Sequence, residues 1–201
     1  MMTSVGRPTY LRPCAASDDA FLYDVFCTTW ASEVAALPNQ NLAQHVLRIQ
    51  HIAQERRFAT NYPNQQRFVL VEDGEPAGRL YLQSVGDTVH VVDLTLLPRF
   101  REQGIGSRVI RDLVAQCTAD GRSIRLRVSR RNRGAIDLVN RLGFSLVSVD
   151  DLENFFEWHA HEQAEPQAPV PAATEEEPAM RKEGTMRKEG SMRKESPADC
   201  G

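Results

Sequence analysis

The sequence predicts an α/β (α+β layered) domain: a mixed central sheet of about seven strands with helices on both faces. Three observations carry this expectation. Three strand-like runs between residues 67 and 97 are separated only by tight-turn dipeptides. After Leu97 the apolar period changes from two to about 3.6, giving helix, strand, helix and two closing strands. Near residue 160 the composition shifts so sharply that the folded part should end there.

In chain order, residues 9–13 read as a short first strand, and Ser17, Asp18 and Asp19 can cap a helix running to about Trp30. Phe21, Leu22 and Val25 mark its inner face. Asn39 or Asn41 opens a second helix, in which Leu42, Val46, Ile49 and Ala53 recur at spacings of three and four. Strands over 67–72, 77–83 and 88–97 follow, with Asp73-Gly74 and Gly86-Asp87 as hairpin turns, so the three form an antiparallel meander. Ile105, Val109, Leu113 and Cys117 line one face of a helix that Asp120-Gly121 ends. Residues 123–128 alternate, with Ile124, Leu126 and Val128 facing one way and Arg125 and Arg127 the other. A helix over 132–142 stops at Gly143, and strands over 144–149 and 154–158 close the sheet.

Composition narrows the function classes. The 201 residues carry 24 Lys+Arg against 27 Asp+Glu, a net charge of −3, so no global basic field points to nucleic acid or an anionic membrane as partner. The longest apolar runs, such as residues 89–97, fall far short of the roughly 18 residues a membrane helix needs. No charged, then apolar, then small-residue pattern opens the chain, and a cytoplasmic protein is expected. Cys14, Cys27, Cys117 and Cys200 lie far apart without a CxxC pair, which argues against a zinc cluster or disulfide framework. His159 and His161 resemble a metal pair only in spacing, and no metal site is expected.

From His161 to Gly201 there is no Phe, Trp, Tyr, Ile or Leu, and five of the eleven prolines fall there. Such a segment cannot bury enough apolar surface to offset an ordering cost of roughly 1–2 kcal/mol per residue. The expected organisation is a folded domain over 1–160 and a disordered low-complexity tail over 161–201, which ends in three Met-Arg-Lys-Glu repeats. Lys182, Lys188 and Lys194 in those repeats are the only lysines of the chain.

The sharpest local signal is Arg101-Glu102-Gln103-Gly104-Ile105-Gly106-Ser107, between the end of a strand and the start of a helix. Two glycines permit positive φ and close approach of a ligand to the backbone. The first amides of the helix lack internal acceptors, and the helix dipole adds about half a positive charge. Together they form a cradle for a phosphate or pyrophosphate. No Gly-Lys-Ser/Thr follows, so it is not a P-loop, and no glycine stands where a dinucleotide fingerprint would need its third.

The run from Pro98 through Arg101, Gly104 and Gly106 after an apolar strand, and Asn132, Ala135 and Leu142-Gly143-Phe144 after the next, resemble the two signature segments of the GNAT superfamily of acyl-CoA N-acyltransferases. The order of elements is similar too, over about residues 9–158. The resemblance implies the GNAT fold, with the sheet splayed between strands 4 and 5 and the pantetheine arm of acetyl-CoA lying in the gap. It implies main-chain contacts from Leu94, Thr95 and Leu96, a pyrophosphate held by Arg101, Glu102, Gln103, Gly104, Ile105, Gly106 and Ser107, and a hydrogen bond from Asn132 to the pantetheine or acyl end.

The chemistry so implied is direct attack in a ternary complex, moving an acetyl group from acetyl-CoA, the co-substrate, to a primary amine of a small molecule or protein. His90 stands where some relatives carry a catalytic carboxylate, and Asp93 is the other titratable group on that strand, expected on the opposite face. Relatives often place an acidic tyrosine seven residues after the asparagine; Val139 stands there, with Tyr81 or Ser129 as substitute hydroxyls. Val139 keeps open a second reading, a weakly active or inactive acyl-CoA-binding regulatory module. Gln44, His45, Arg48 and His51 either line the acceptor side or form a solvated helix face, and Arg125, Arg127, Arg130, Arg131 and Arg133 either favour the 3′-phosphate of coenzyme A or an acidic partner, or form a solvated surface. A homodimer is compatible with the resemblance, and the tail lysines are themselves candidate acceptors.

Overall fold

The computed structural model describes residues 9–160; the expected tail over 161–201 lies outside the described residues. The elements are β1 (Tyr10–Pro13), α1 (Asp19–Thr29), α2 (Ala31–Ala35), α3 (Gln40–Asn61), β2 (Gln66–Glu72), β3 (Glu75–Val85), β4 (Thr88–Leu96), α4 (Ile105–Asp120), β5 (Ser123–Ser129), α5 (Arg133–Arg141), β6 (Ser145–Val149) and β7 (Glu153–Trp158). The seven strands form one mixed sheet in the order β1-β2-β3-β4-β5-β7-β6. Every neighbouring pair is antiparallel except β4 and β5. Among the described residues no helix is long and apolar enough to cross a membrane.

Alternation along the strands sorts side chains to two helical layers. On one face, Leu80, Val89, Val91, Ile124, Leu126 and Val128 pack with Val109, Ile110, Leu113 and Cys117 of α4 and Val139 of α5. On the other, Val69 and Val71 meet Leu22 of α1, and Tyr81 and Val92 meet Phe58 of α3. Local chemistry starts and stops the helices where the sequence suggests. The Asn39 side chain accepts from the Leu42 amide at 2.8 Å, and Gly121 takes a left-handed φ of 65° to end α4.

Two expectations need correction. Residues 31–35 form a separate short helix, α2, before Asn39 caps α3. The apolar stripe by which α3 is read from the sequence does not supply its packed face: Leu42 and Ile49 are exposed at 40% and 52%. Leu47, His51, Gln54 and Phe58 also recur at helical spacing, and the sheet selects that stripe because it carries Phe58, buried against Tyr81.

At the entry to α1, Asp18 accepts two hydrogen bonds from Arg12, each 2.7 Å, and one from the Ala15 amide at 2.8 Å. The Arg12 guanidinium, then the backbone amide, lowers its pKa to about 2. The folded value lies below the unfolded value near 3.9, so the contribution is full above about pH 4 and is lost as the pH falls toward 2. Asp18→Asn is expected to cost about 1 kcal/mol at pH 7 and to flatten the stability change between pH 4 and pH 2, read by thermal melts across that range.

Candidate functional site

The pairing of β4 with β5 stops short. It runs from Thr88 opposite Ser123 to Val91 opposite Leu126, and beyond that point the strands part. β4 nevertheless stays paired with β3 up to Leu96. The register against β3 slips at the same place: Leu82 opposes Val91 and Tyr81 opposes Asp93, leaving Val92 as an extra, bulged residue. A bulge bends and twists its strand, which accounts for β4 peeling away from β5. The resulting cleft has a volume of about 240 Å³.

Backbone direction in the gap follows by alternation. The Leu97 amide donates to the Ala77 carbonyl at 2.9 Å, so it faces β3. The amides of Leu96 and Leu94 therefore face the opened side, and the Leu96 carbonyl there accepts from Arg101 Nε at 2.8 Å. Thr95 departs from expectation. Its carbonyl oxygen would lie 2.3 Å from a Cβ built on Gly78 of β3, so its main chain turns away from the gap.

The bulge also changes where the titratable groups of β4 stand. Asp93 does not face away from His90: the extra residue shifts the parity, and both lie on the α3 face. Asp93 lines the cleft. Its Oδ2 accepts from Arg79 Nε at 2.5 Å and its Oδ1 from Thr95 Oγ1 at 2.9 Å. His90 pairs with Arg125 below the point where the strands part and faces the Tyr62 ring, with centroids 6.2 Å apart. Burial, then Arg125, lowers its pKa, so it is neutral at pH 7. Tyr81 is fully buried; burial raises its pKa, and its hydroxyl accepts from Arg67 Nη2 at 2.7 Å. Val139 and Ser129 both line the cleft.

The loop after β4 begins with a 3-10 turn, Pro98–Phe100. Arg101 bridges the Leu96 carbonyl and Thr28 Oγ1, the latter at 3.0 Å, and Gln103 Nε2 donates to the Arg99 carbonyl at 2.6 Å. Glu102 and Gly104 take positive φ of 61° and 79°. Among the described residues no acceptor receives a hydrogen bond from the amides of Glu102, Gln103, Gly104, Ile105, Gly106 or Ser107; the first turn closes with Arg108 donating to Gly104. A Cβ on Gly104 would meet nothing within 4 Å, and one on Gly106 only Leu96 Cδ1 at 4.0 Å. The cradle is thus open, lined by free donors and backed by the N-terminal end of a 16-residue helix.

Across the gap, Asn132 Oδ1 caps α5 by accepting from the Ala135 amide at 3.1 Å, and Asn132 lines the cleft with its amide group left to donate. The parted strands, the glycine loop with free amides that follows β4 and the capping asparagine in the cleft are formed by the two signature segments and the strands that precede them. The sequence matches the model of the Acetyltransferase (GNAT) family over residues 30–144, more than half of the chain.

The chain belongs to the GNAT acetyltransferase family.

Solved structures share its fold. PaiA N-acetyltransferase from Thermoplasma acidophilum, in complex with coenzyme A, is 17% identical with a TM-score of 0.56, covering 76% of this chain and 99% of that one. Spermidine N-acetyltransferase from Vibrio cholerae, in complex with CoA and spermine, is 14% identical with a TM-score of 0.53, covering 78% and 98%. The ribosomal-protein-S18-alanine N-acetyltransferase from Escherichia coli is 20% identical with a TM-score of 0.50, covering 75% and 91%. No curated protein matches the sequence.

Within this GNAT chain, several cleft residues carried no motif. Gln54 and Arg57 of α3 and Glu153 of β7 line the cleft with Arg127, whose Nη1 lies 3.3 Å from Glu153 Oε2. Their only sequence signal is placement: residue 54 on the helix stripe that holds Phe58, and residue 127 on the polar side of an alternating strand. The other expected groups stand apart. His51 packs on Tyr23 and Phe26, Arg125 pairs with Glu157, and His159 Nδ1 is 2.9 Å from Ser123 Oγ; His161 lies outside the described residues.

Proposed function

We propose that this chain transfers an acetyl group from acetyl-CoA to a primary amine of a small molecule or protein. The observation that carries the reading is the set of amides from Glu102 to Ser107, without acceptors among the described residues, in the loop that joins β4 to α4. Six donors at a helix N-terminus suit a diphosphate, and the missing side chains of Gly104 and Gly106 leave room for it. Bound there, acetyl-CoA would supply the acyl thioester. Arg101 and Gln103 hold the loop's shape through main-chain carbonyls, and the Asn132 amide group donates toward the pantetheine or acyl end. The Leu94 amide points into the gap as a donor for an acyl oxygen.

The amine needs a proton acceptor. Of the two residues expected in that role, His90 stands one register step below the cleft, and Asp93 has both oxygens engaged. Glu153 has one oxygen on Arg127, and we assign the role to the other, Oε1. His90→Ala should then leave the rate-versus-pH profile unchanged, whereas Glu153→Gln should lower kcat.

Gly106→Glu tests the cradle. An acidic residue in the first turn of a helix is favourable to folding, and the site of its Cβ is open, so the melting temperature of the free protein should hold. The same carboxylate would stand against a diphosphate, and affinity for acetyl-CoA should fall on the order of a hundredfold, read by calorimetry. Unchanged affinity would refute the assignment. The second reading, a coenzyme-binding module with little turnover, draws on Val139, which is buried in the cleft wall and brings no hydroxyl. Free-thiol release with any amine decides against it; tight binding without release decides for it.

A further inference from the structure

The acceptor side of the sheet carries a charge pattern that selects an amine class. Five arginines stand on the α3 face at or beside the cleft, and four are matched with carboxylates. Arg67 lies 3.1 Å from Glu55, Arg79 2.5 Å from Asp93 and Arg127 3.3 Å from Glu153, and Arg125 pairs with Glu157. The fifth, Arg57, lines the cleft and makes no ion pair or hydrogen bond among the described residues. The wall therefore keeps one uncompensated cation. Glu153, whose one side-chain partner among the described residues is Arg127, has an oxygen to offer an ammonium in the same cleft.

From this pattern we infer that the acceptor is a small amine carrying its own carboxylate, a free amino acid, with the carboxylate on Arg57 and the ammonium toward Glu153. The inference rests on the acetyltransferase reading above and adds the class of acceptor to it. Three features point the same way. A guanidinium fork matches a carboxylate in two parallel hydrogen bonds, which fixes orientation as well as charge. The cleft of about 240 Å³ also receives the acyl end of the co-substrate, so the space left beside it suits an acceptor no larger than an amino acid. Phe58, Val92 and Leu138 add apolar wall to the same cleft, fitting an apolar side chain. A polyamine would bring only cations toward Arg57, and like charges disfavour it.

The test compares leucine, leucinamide and spermidine as acceptors, read by free-thiol release with acetyl-CoA, in the full chain and in Arg57→Gln. The expected result is a kcat/KM for leucine at least tenfold above those for leucinamide and spermidine, with the leucine–leucinamide difference collapsing in Arg57→Gln. Stabilisation by acetyl-CoA should be the same in both proteins. Leucinamide or spermidine matching leucine, or a ratio unchanged in Arg57→Gln, would overturn the inference. Release with no amine would count against turnover and not against recognition. Calorimetry with leucine in the presence of coenzyme A then decides: heat that Arg57→Gln abolishes supports the inference, and no heat overturns it.

Discussion

Replacing Arg79 with methionine should cost about 3–5 kcal/mol of stability, enough to lower the melting temperature by roughly 10 °C or more. Arg79 is 0% exposed. Its Nε meets Asp93 at 2.5 Å, its Nη2 the Gln54 side chain at 3.0 Å and its Nη1 the Leu22 carbonyl at 3.5 Å. One guanidinium thus joins α1, α3, β3 and β4 behind the cleft. Methionine fills much of the same space but leaves Asp93, largely buried on the cleft wall, without its counter-ion. The cost arises from that stranded carboxylate more than from any net strength of the pair. The double variant Arg79→Met/Asp93→Leu should therefore recover most of the loss in denaturant unfolding. A single variant within 1 kcal/mol of the parent would show that Asp93 finds other partners.

The second large effect concerns Gly78. A methyl group there would stand 2.3 Å from the Thr95 carbonyl oxygen and 2.9 Å from Leu96 Cδ2. The first contact is with backbone, which cannot rotate aside. Gly78→Ala should push the end of β4 away from β3, with a cost of about 1–3 kcal/mol. Because that stretch also aims the Leu94 and Leu96 amides into the gap, affinity for coenzyme A should fall with stability. Thermal melts and calorimetry on the same sample check both. A variant as stable and as tightly binding as the parent would mean the two strands have slack that the register does not suggest.

How far the sequence foretold this architecture depends on where the controlling forces lie. Local rules were readable. Asn39 and Asn132 cap helices by bonds to amides three residues on, Gly121 ends α4 in a left-handed turn, and Gly104 takes the positive φ its loop needs. The order of strands and helices followed from apolar periods that burial enforces, and the parting of strands 4 and 5 followed from the family resemblance. What depends on a distant partner was not readable. The bulge at Val92 exists only in register with β3, and by shifting parity it moves Asp93 onto the face of His90. The choice between two equally spaced stripes of α3 falls to the sheet beneath it. Arg57, Arg127 and Glu153 line one cleft from three elements far apart in the chain, so no spacing could announce them.

The central claim is that main-chain nitrogens at the start of α4 receive the diphosphate of the acyl carrier. Amide hydrogen exchange measured residue by residue, with and without coenzyme A, tests it directly. Glu102 through Ser107 have no acceptor among the described residues, so they should exchange quickly in the free protein and slow at least roughly tenfold on saturation. If coenzyme A binds while those six amides exchange as before, the diphosphate lies elsewhere and the account is wrong.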